Sequence, residues 1–272
     1  MIELFPSQYQ AASAFFGRTH YGVLATGTLD GGHPGRVFLD NPADPKTGLV
    51  CTCLDYYFLA GQISAPVLDW LYNKFNEDFI PRQKSAIGSA DVVLFFEPLN
   101  WKEPLFERFV DCQPLLIHKK RHILPEGSAA RFSGWQSHIP VGFQVRPYNS
   151  ELIKSSLDLI SNTELFYGSV ENFLKRGFGW CILNGDQIAS TCWAVFVGGG
   201  EVEIDIHTTE AYRRRGLAYL LASSFIEDCL KRGLNPIWGC WPENMPSVRL
   251  AKKLGFIGDT LQPACFLEDR KR

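Results

Sequence analysis

The sequence predicts an α/β protein of two domains, the second built on a mixed central sheet flanked by helices. Three observations lead there. The chain of 272 residues is longer than a typical single domain, so two units of ordinary size, each with its own core, are expected. In the second half the apolar period changes from two to about four residues partway along, as strands giving way to a helix require. Asn184-Gly185-Asp186 and Gly198-Gly199-Gly200 divide that strand region, and an Asn-Gly pair takes positive φ readily at a hairpin turn.

The first half, residues 1–137, reads as a smaller α/β domain. Helix patterns fall at 7–16 and 66–74, and strand patterns at 21–27, 36–39 and 49–54, separated by Gly, Pro and Asp. Residues 126–140 hold Gly127, Gly134 and Pro140 without a clear period and are expected to link the domains, with the boundary near His138. Residues 138–272 form the second domain. It opens with a strand from Phe143 and a helix over 149–160 capped by Asn149, with Leu152, Ser156, Leu159 and Ile160 along one stripe. A short helix at 169–175 follows, then strands at 179–183, 187–197 and 201–208 as an antiparallel meander. Leu217, Leu221, Phe225 and Cys229 mark a long helix that ends in Lys231-Arg232-Gly233, a basic last turn followed by glycine. A strand at 236–240, a helix from Asn244 to Gly255 with a proline in its first turn, and strands at 256–257 and 264–267 complete the order β-α-α-β-β-β-α-β-α-β-β.

Charge and composition narrow the function. Twenty-seven basic against 29 acidic side chains give no field that would attract a nucleic acid or an anionic membrane, which leaves a small molecule as the expected partner. The apolar run 92–96 is too short to cross a bilayer and no secretion signal opens the chain, so a cytoplasmic location is expected. The eight cysteines are scattered among apolar neighbours and read as reduced core thiols, with no metal assigned; Cys51 and Cys53 lack the two further ligands a zinc site needs. His118 and His122 are spaced to share a metal on a helix, but a solvated basic segment is the simpler reading of His118-Lys-Lys-Arg-His122.

The strongest motif is Tyr212-Arg213-Arg214-Arg215-Gly216-Leu217-Ala218, set between a strand and an amphipathic helix. A glycine turn at a helix N-terminus aims backbone N–H groups at one point and adds the positive end of the helix dipole, which suits a pyrophosphate. Three arginines in a loop also suit a plain solvated turn. The neighbouring strand Glu201-Val-Glu-Ile-Asp-Ile-His-Thr208 alternates strictly, putting Glu201, Glu203, Asp205 and His207 on one face. Such a row holds candidate proton acceptors, and Glu203 and Asp205 are the catalytic candidates, with His207 behind them. A solvated sheet face accounts for the same row.

Arg-x-x-Gly-x-Ala after a strand, followed by Asn244-x-x-Ser247 and Lys253-Leu254-Gly255-Phe256, resembles the GNAT superfamily of acetyl-CoA-dependent N-acetyltransferases, whose element order is the one above. Tyr-Arg-x-x-Gly-Leu-Ala and Ser-x-x-Leu-Ala-x-Lys-Leu-Gly are similar to the branch of zwittermicin-A-resistance-type acetyltransferases. In that branch a degenerate GNAT-like domain comes first, and residues 36–42 and 57–62 look like it but carry no phosphate turn. The resemblance implies the GNAT acyl-CoA N-acyltransferase fold. It implies acetyl-CoA as cofactor, its pyrophosphate on the backbone N–H groups of Arg214, Arg215, Gly216, Leu217, Ala218 and Tyr219, with the side chain of Arg213 adding to the positive field. Its pantetheine arm would run along the strand at Ile206 and Thr208, with an N–H there offered to the thioester carbonyl, and Asn244 and Ser247 would lie near that arm. The tyrosine that many members use as general acid corresponds to Ala251. The activity implied is transfer of an acetyl group to a primary amine of a small molecule by direct attack. A non-catalytic CoA-binding or interaction module, or a protein N-acetyltransferase, are the alternatives.

Overall fold

The computed structural model of the chain describes residues 1–16, 22–88 and 91–268. Its strands are β1 (Ile2–Glu3), β2 (Gly35–Leu39), β3 (Thr47–Thr52), β4 (Tyr56–Gly61), β5 (Val92–Glu97), β6 (Leu115–Ile123), β7 (Phe143–Pro147), β8 (Gly179–Asn184), β9 (Gln187–Gly198), β10 (Glu201–Thr208), β11 (Asn235–Cys240) and β12 (Ile257–Leu267). The helices are α1 (Tyr9–Phe16), α2 (Gly22–Leu29), α3 (Ala65–Lys74), α4 (Ile80–Ile87), α5 (Lys102–Arg108), α6 (Ser150–Lys154), α7 (Leu157–Tyr167), α8 (Val170–Arg176), α9 (Leu217–Lys231) and α10 (Met245–Leu254).

Two compact units result. One comprises Met1–Lys119 and the chain from Gln262 onward, the other Lys120–Leu261. The division therefore falls upstream of His138, and the chain end returns to the first unit. In the first unit β2, β3 and β4 are antiparallel, β5 runs parallel to β4, and Ala264–Leu267 of β12 pairs antiparallel with β5. The second repeats this plan: β8, β9 and β10 are antiparallel, β11 is parallel to β10, and Lys120–Ile123 of β6 closes on β11. Each unit's last strand thus comes from the segment that chain order would give to the other.

Several expected elements differ. Residues 22–27 fall in helix α2, not a strand; Tyr21 lies outside the described residues. Short apolar runs do not distinguish the two, and here Val23, Leu24, Ala25 and Leu29 are all buried while Thr26 Oγ1 bonds back to the Gly22 carbonyl at 3.1 Å. The expected helix over 149–160 breaks at Ser155-Ser156, because Ser156 Oγ accepts from the Leu159 N–H and starts α7. Residues 126–140 are not a linker. They form two short 3-10 turns that bury Phe132 and Trp135 in the second core. His118-Lys-Lys-Arg-His122 is neither helix nor solvated segment: it lies in β6, with Lys119 and His122 buried. The strands expected at 256–257 and 264–267 fall on one strand, β12, which starts at Ile257 and leaves Phe256 outside it.

In the second unit, α9 and α10 cover one sheet face, where Val202, Ile204, Leu221, Phe225, Val248 and Leu254 share a core. On the other face the Phe166 ring of α7 meets Trp193 and Phe196 edge-on at 5.2 and 5.6 Å, and Tyr167 Oη donates to the Ala194 carbonyl at 2.7 Å. This second face carries Glu203 and Asp205, which lie opposite Phe196 and Trp193 in the β9–β10 register.

Candidate active site

Strands β10 and β11 start side by side and then part. Glu201, Val202 and Glu203 pair with Asn235, Pro236 and Ile237, but β10 continues to Thr208 without β11, while β11 continues to Cys240 against β6. The hydrogen-bond alternation decides which groups face the opening. Thr209 N–H bonds to the Ala189 carbonyl at 3.0 Å and the His207 carbonyl accepts from Ser190 Oγ at 2.8 Å, so the odd-numbered residues address β9. The main-chain groups of Ile204, Ile206 and Thr208 are directed the other way, into the opening.

At its end β10 turns into α9 through Glu210–Tyr212 and Arg213 to Gly216. Tyr212 anchors the turn: its hydroxyl donates to Gln187 at 2.8 Å and accepts from Asn184, and its ring packs edge-on against Phe143. Arg213 Nε donates to the Thr208 carbonyl at 3.1 Å, so this arginine holds the turn to the strand. Arg214 and Gly216 both have positive φ, 61° and 79°. A β-carbon on Gly216 would meet nothing within 4 Å, so conformation selects glycine there and the space in front is open. The N–H groups of Arg214, Arg215, Gly216, Leu217, Ala218 and Tyr219 form no hydrogen bond among the described residues. A helix of this length starting on such a turn presents an anion with unpaired donors and the positive dipole end. Arg214 and Arg215 are exposed beside it, Arg215 over the Tyr212 ring. The residues present therefore fit a pyrophosphate.

The acidic row does not act as a set. Glu201 is held by Arg121 of β6, and Glu203 is 6% exposed at the last paired position. Asp205 and His207 lie beyond, on the part of β10 that has left β11. Asp205 Oδ2 accepts from Trp193 Nε1 at 2.8 Å. The residue is exposed as a whole, yet partial desolvation of its carboxylate pushes its pKa up, against the Trp193 N–H, which pulls it down. Trp193 was not singled out in the sequence; its place opposite Asp205 depends on strand register.

Asn244 caps α10 by accepting from the Ser247 N–H at 3.3 Å, and Ser247 Oγ accepts from Trp238 Nε1 at 2.9 Å. Both hold the start of α10 against β11, and Trp238 is core. Ala251 is fully buried in that core, so its position carries only a packed methyl group. Among the described residues no group of three or more His, Cys, Asp or Glu side chains is arranged to hold a metal, and no helix is long and apolar enough to cross a membrane.

Comparison with known proteins agrees with this geometry. The family model of the GNAT acetyltransferases matches residues 14–261. The chain is 28% identical over 259 residues to an uncharacterized N-acetyltransferase, YdfB, of Bacillus subtilis, covering 93% of this chain and 94% of that one. A GCN5-related N-acetyltransferase-like protein from Streptococcus suis superposes with a TM-score of 0.70 at 24% identity, over 96% of this chain and 98% of the other. A tandem GNAT protein from the clavulanic acid biosynthesis pathway superposes over 97% of this chain and 94% of its own with a TM-score of 0.58 at 10% identity, in keeping with a two-unit GNAT fold. With the parted strands and the glycine turn in place, the match over residues 14–261 makes the chain a member of the GNAT acetyltransferase family, an N-acetyltransferase by enzyme class.

Proposed function

We propose that the protein acetylates a primary amine of a small molecule with acetyl-CoA, in the second unit, by direct attack of the amine. The observation that carries this reading is the parting of β10 from β11 after Glu203 beside a turn with open N–H groups. Bound acetyl-CoA would supply the activated acetyl thioester. The backbone N–H groups from Arg214 to Tyr219 bind its phosphates, with Arg213 holding the turn in place, and the opened edge at Ile206 and Thr208 orients the arm, with Asn244 and Ser247 at the opposite wall. Asp205 accepts the ammonium proton on its carboxylate, fixed in direction by Trp193, and a raised pKa brings it nearer the pH at which a base is useful. Glu203, buried one step back, is the second candidate.

The first unit is non-catalytic in this reading. There β4 and β5 stay paired from Tyr56 to Ala60, and the start of α3 has Ser64 accepting from the Val67 N–H and a proline at Pro66, which leaves little for an anion. Such a unit ahead of the catalytic one accords with the zwittermicin-A-resistance-type branch. Eight free cysteines suit a reducing cytoplasm.

Release of free CoA thiol from acetyl-CoA in the presence of a panel of primary amines tests the proposal. Turnover with at least one small amine is expected. Tight CoA binding without turnover on any amine supports a non-catalytic module instead, and acetylated cell protein found by mass spectrometry supports a protein acetyltransferase.

A further inference from the structure

Four residues of the second unit form a row across its sheet. Gly179 of β8 stands opposite Trp193 of β9, and Trp193 stands opposite Asp205 of β10. Tyr148, just past the end of β7, closes the row: its N–H donates to the Gly179 carbonyl at 2.7 Å and its ring lies over Gly179. A β-carbon on that glycine would come within 2.7 Å of Tyr148 Cδ2 and 2.8 Å of Trp193 Cβ. Close approach selects glycine here, and the missing side chain is the space through which the phenol ring reaches the tryptophan.

Trp193 is confined on other sides as well. Phe166 of α7 and Phe173 of α8 meet it edge-on at 5.2 and 6.0 Å, and Phe173 also meets the Tyr148 ring at 6.0 Å. Three rings thus hold a buried indole whose Nε1 is directed at Asp205 Oδ2. The Tyr148 hydroxyl is buried and finds no hydrogen-bond partner among the described residues, so its ring makes the contacts that matter. Tyr148 also precedes the Asn149 cap of α6, where an apolar side chain commonly packs under its own helix. That duty alone would not call for a glycine opposite Trp193.

We propose that Tyr148 is a positioning residue for the transfer reaction: through the gap left by Gly179 its ring fixes Trp193, and Trp193 in turn directs the Asp205 carboxylate at the acceptor amine. This rests on the reading of Asp205 as the proton acceptor. Desolvation raises the pKa of Asp205 and the Trp193 N–H pulls it back down. The other ionisable groups acting on this carboxylate are His207 and Glu203 on its own strand and the Tyr148 phenol, while α7 and α8 bring only Phe166 and Phe173 to the indole. A displaced indole removes the downward pull, so the acid limb of the pH–rate profile moves to higher pH.

Steady-state kinetics of full-length variants across pH, with an amine that the wild type acetylates, test the inference. Trp193→Phe keeps a ring without the N–H and sets the reference, its acid limb at higher pH than in the wild type. Tyr148→Leu should lower kcat/KM for the amine by about tenfold, the scale of one hydrogen bond to a charged group, and move the limb in the same direction with acetyl-CoA affinity unchanged. Tyr148→Phe, which restores the ring, should keep the wild-type rate and profile. Adding Tyr148→Leu to Trp193→Phe should cost little beyond Trp193→Phe alone, because both act through one contact. A rate lost in Tyr148→Phe would assign the role to the hydroxyl and overturn the inference, as would a Tyr148→Leu that lowers Tm but keeps the wild-type rate and limb. If Tyr148→Leu does not fold, Tyr148→Phe still decides, together with Gly179→Ala, whose methyl enters between the two rings; a wild-type profile in folded Gly179→Ala also overturns it. Should Trp193→Phe itself keep the wild-type limb, it is the reading of Asp205 as the base that fails.

Discussion

A single tryptophan distinguishes one acid from its neighbours on β10. Glu203 and Asp205 share a face by simple alternation, yet only Asp205 stands beyond the last β11 pair with an indole N–H fixing its carboxylate. The raised pKa of Asp205 sets a direction for the pH dependence. As pH falls through that pKa the carboxylate becomes protonated and stops accepting, so kcat/KM falls on the acid side. Asp205→Asn should lower the rate by about 10²–10⁴-fold and remove that acid limb from the pH–rate profile. A variant that keeps the wild-type limb would transfer the role to Glu203. Stability has the opposite sign: a folded-state pKa above the ordinary value means the ionised carboxylate weakens the fold above it, so the amide should not lower Tm at neutral pH. The acidic row was legible from residue order; its division was not, because burial of Glu203 depends on β11 and the setting of Asp205 on β9.

At the level of elements, the turn into α9 was the clearest sequence signal, and its geometry explains the glycine. With φ at 79° and open space ahead, Gly216 is required by backbone conformation more than by crowding. Gly216→Glu combines a strained φ with a carboxylate at the N–H cluster. It should reduce CoA affinity by at least about 100-fold, measured by calorimetry, while far-UV circular dichroism stays native; unaltered affinity would remove the turn from the cofactor site. Other elements were less legible for local reasons. Ser155-Ser156 offered a cap inside an apolar stripe and split one expected helix into α6 and α7. The segment 126–140 has linker composition, but Phe132 and Trp135 find a core only once α9 is folded beside them.

Across the molecule, the two units repeat one strand and helix plan and exchange their closing strands. β12 brings Ala264, Cys265 and Leu267, all buried, to the edge of β5. A chain ending at residue 261 should therefore leave β5 with an unpaired edge and a core opening. Hydrogen exchange should show β5 amides losing protection and the first unit destabilised by at least about 2 kcal/mol, the cost of exposing one leucine-sized side chain, while α9 amides stay protected. Unchanged protection in β5 would show that β12 is dispensable to the first unit.

Residue order alone determined the mixed α/β class, the meander of β8 to β10, the long helix behind Gly216 and the family motif, because hairpin turns, helix caps and periodicity act over a few neighbouring residues. Tertiary structure decided the rest: which strand closes which unit, where β10 leaves β11, that Trp193 faces Asp205, and that a loop-like segment packs on α9. The Trp193–Asp205 pair depends on the register of the β9–β10 hairpin, which shifts after Glu203, and the others on pairing between segments far apart in the chain; a strand's own pattern shows which face it buries without naming its partner or register.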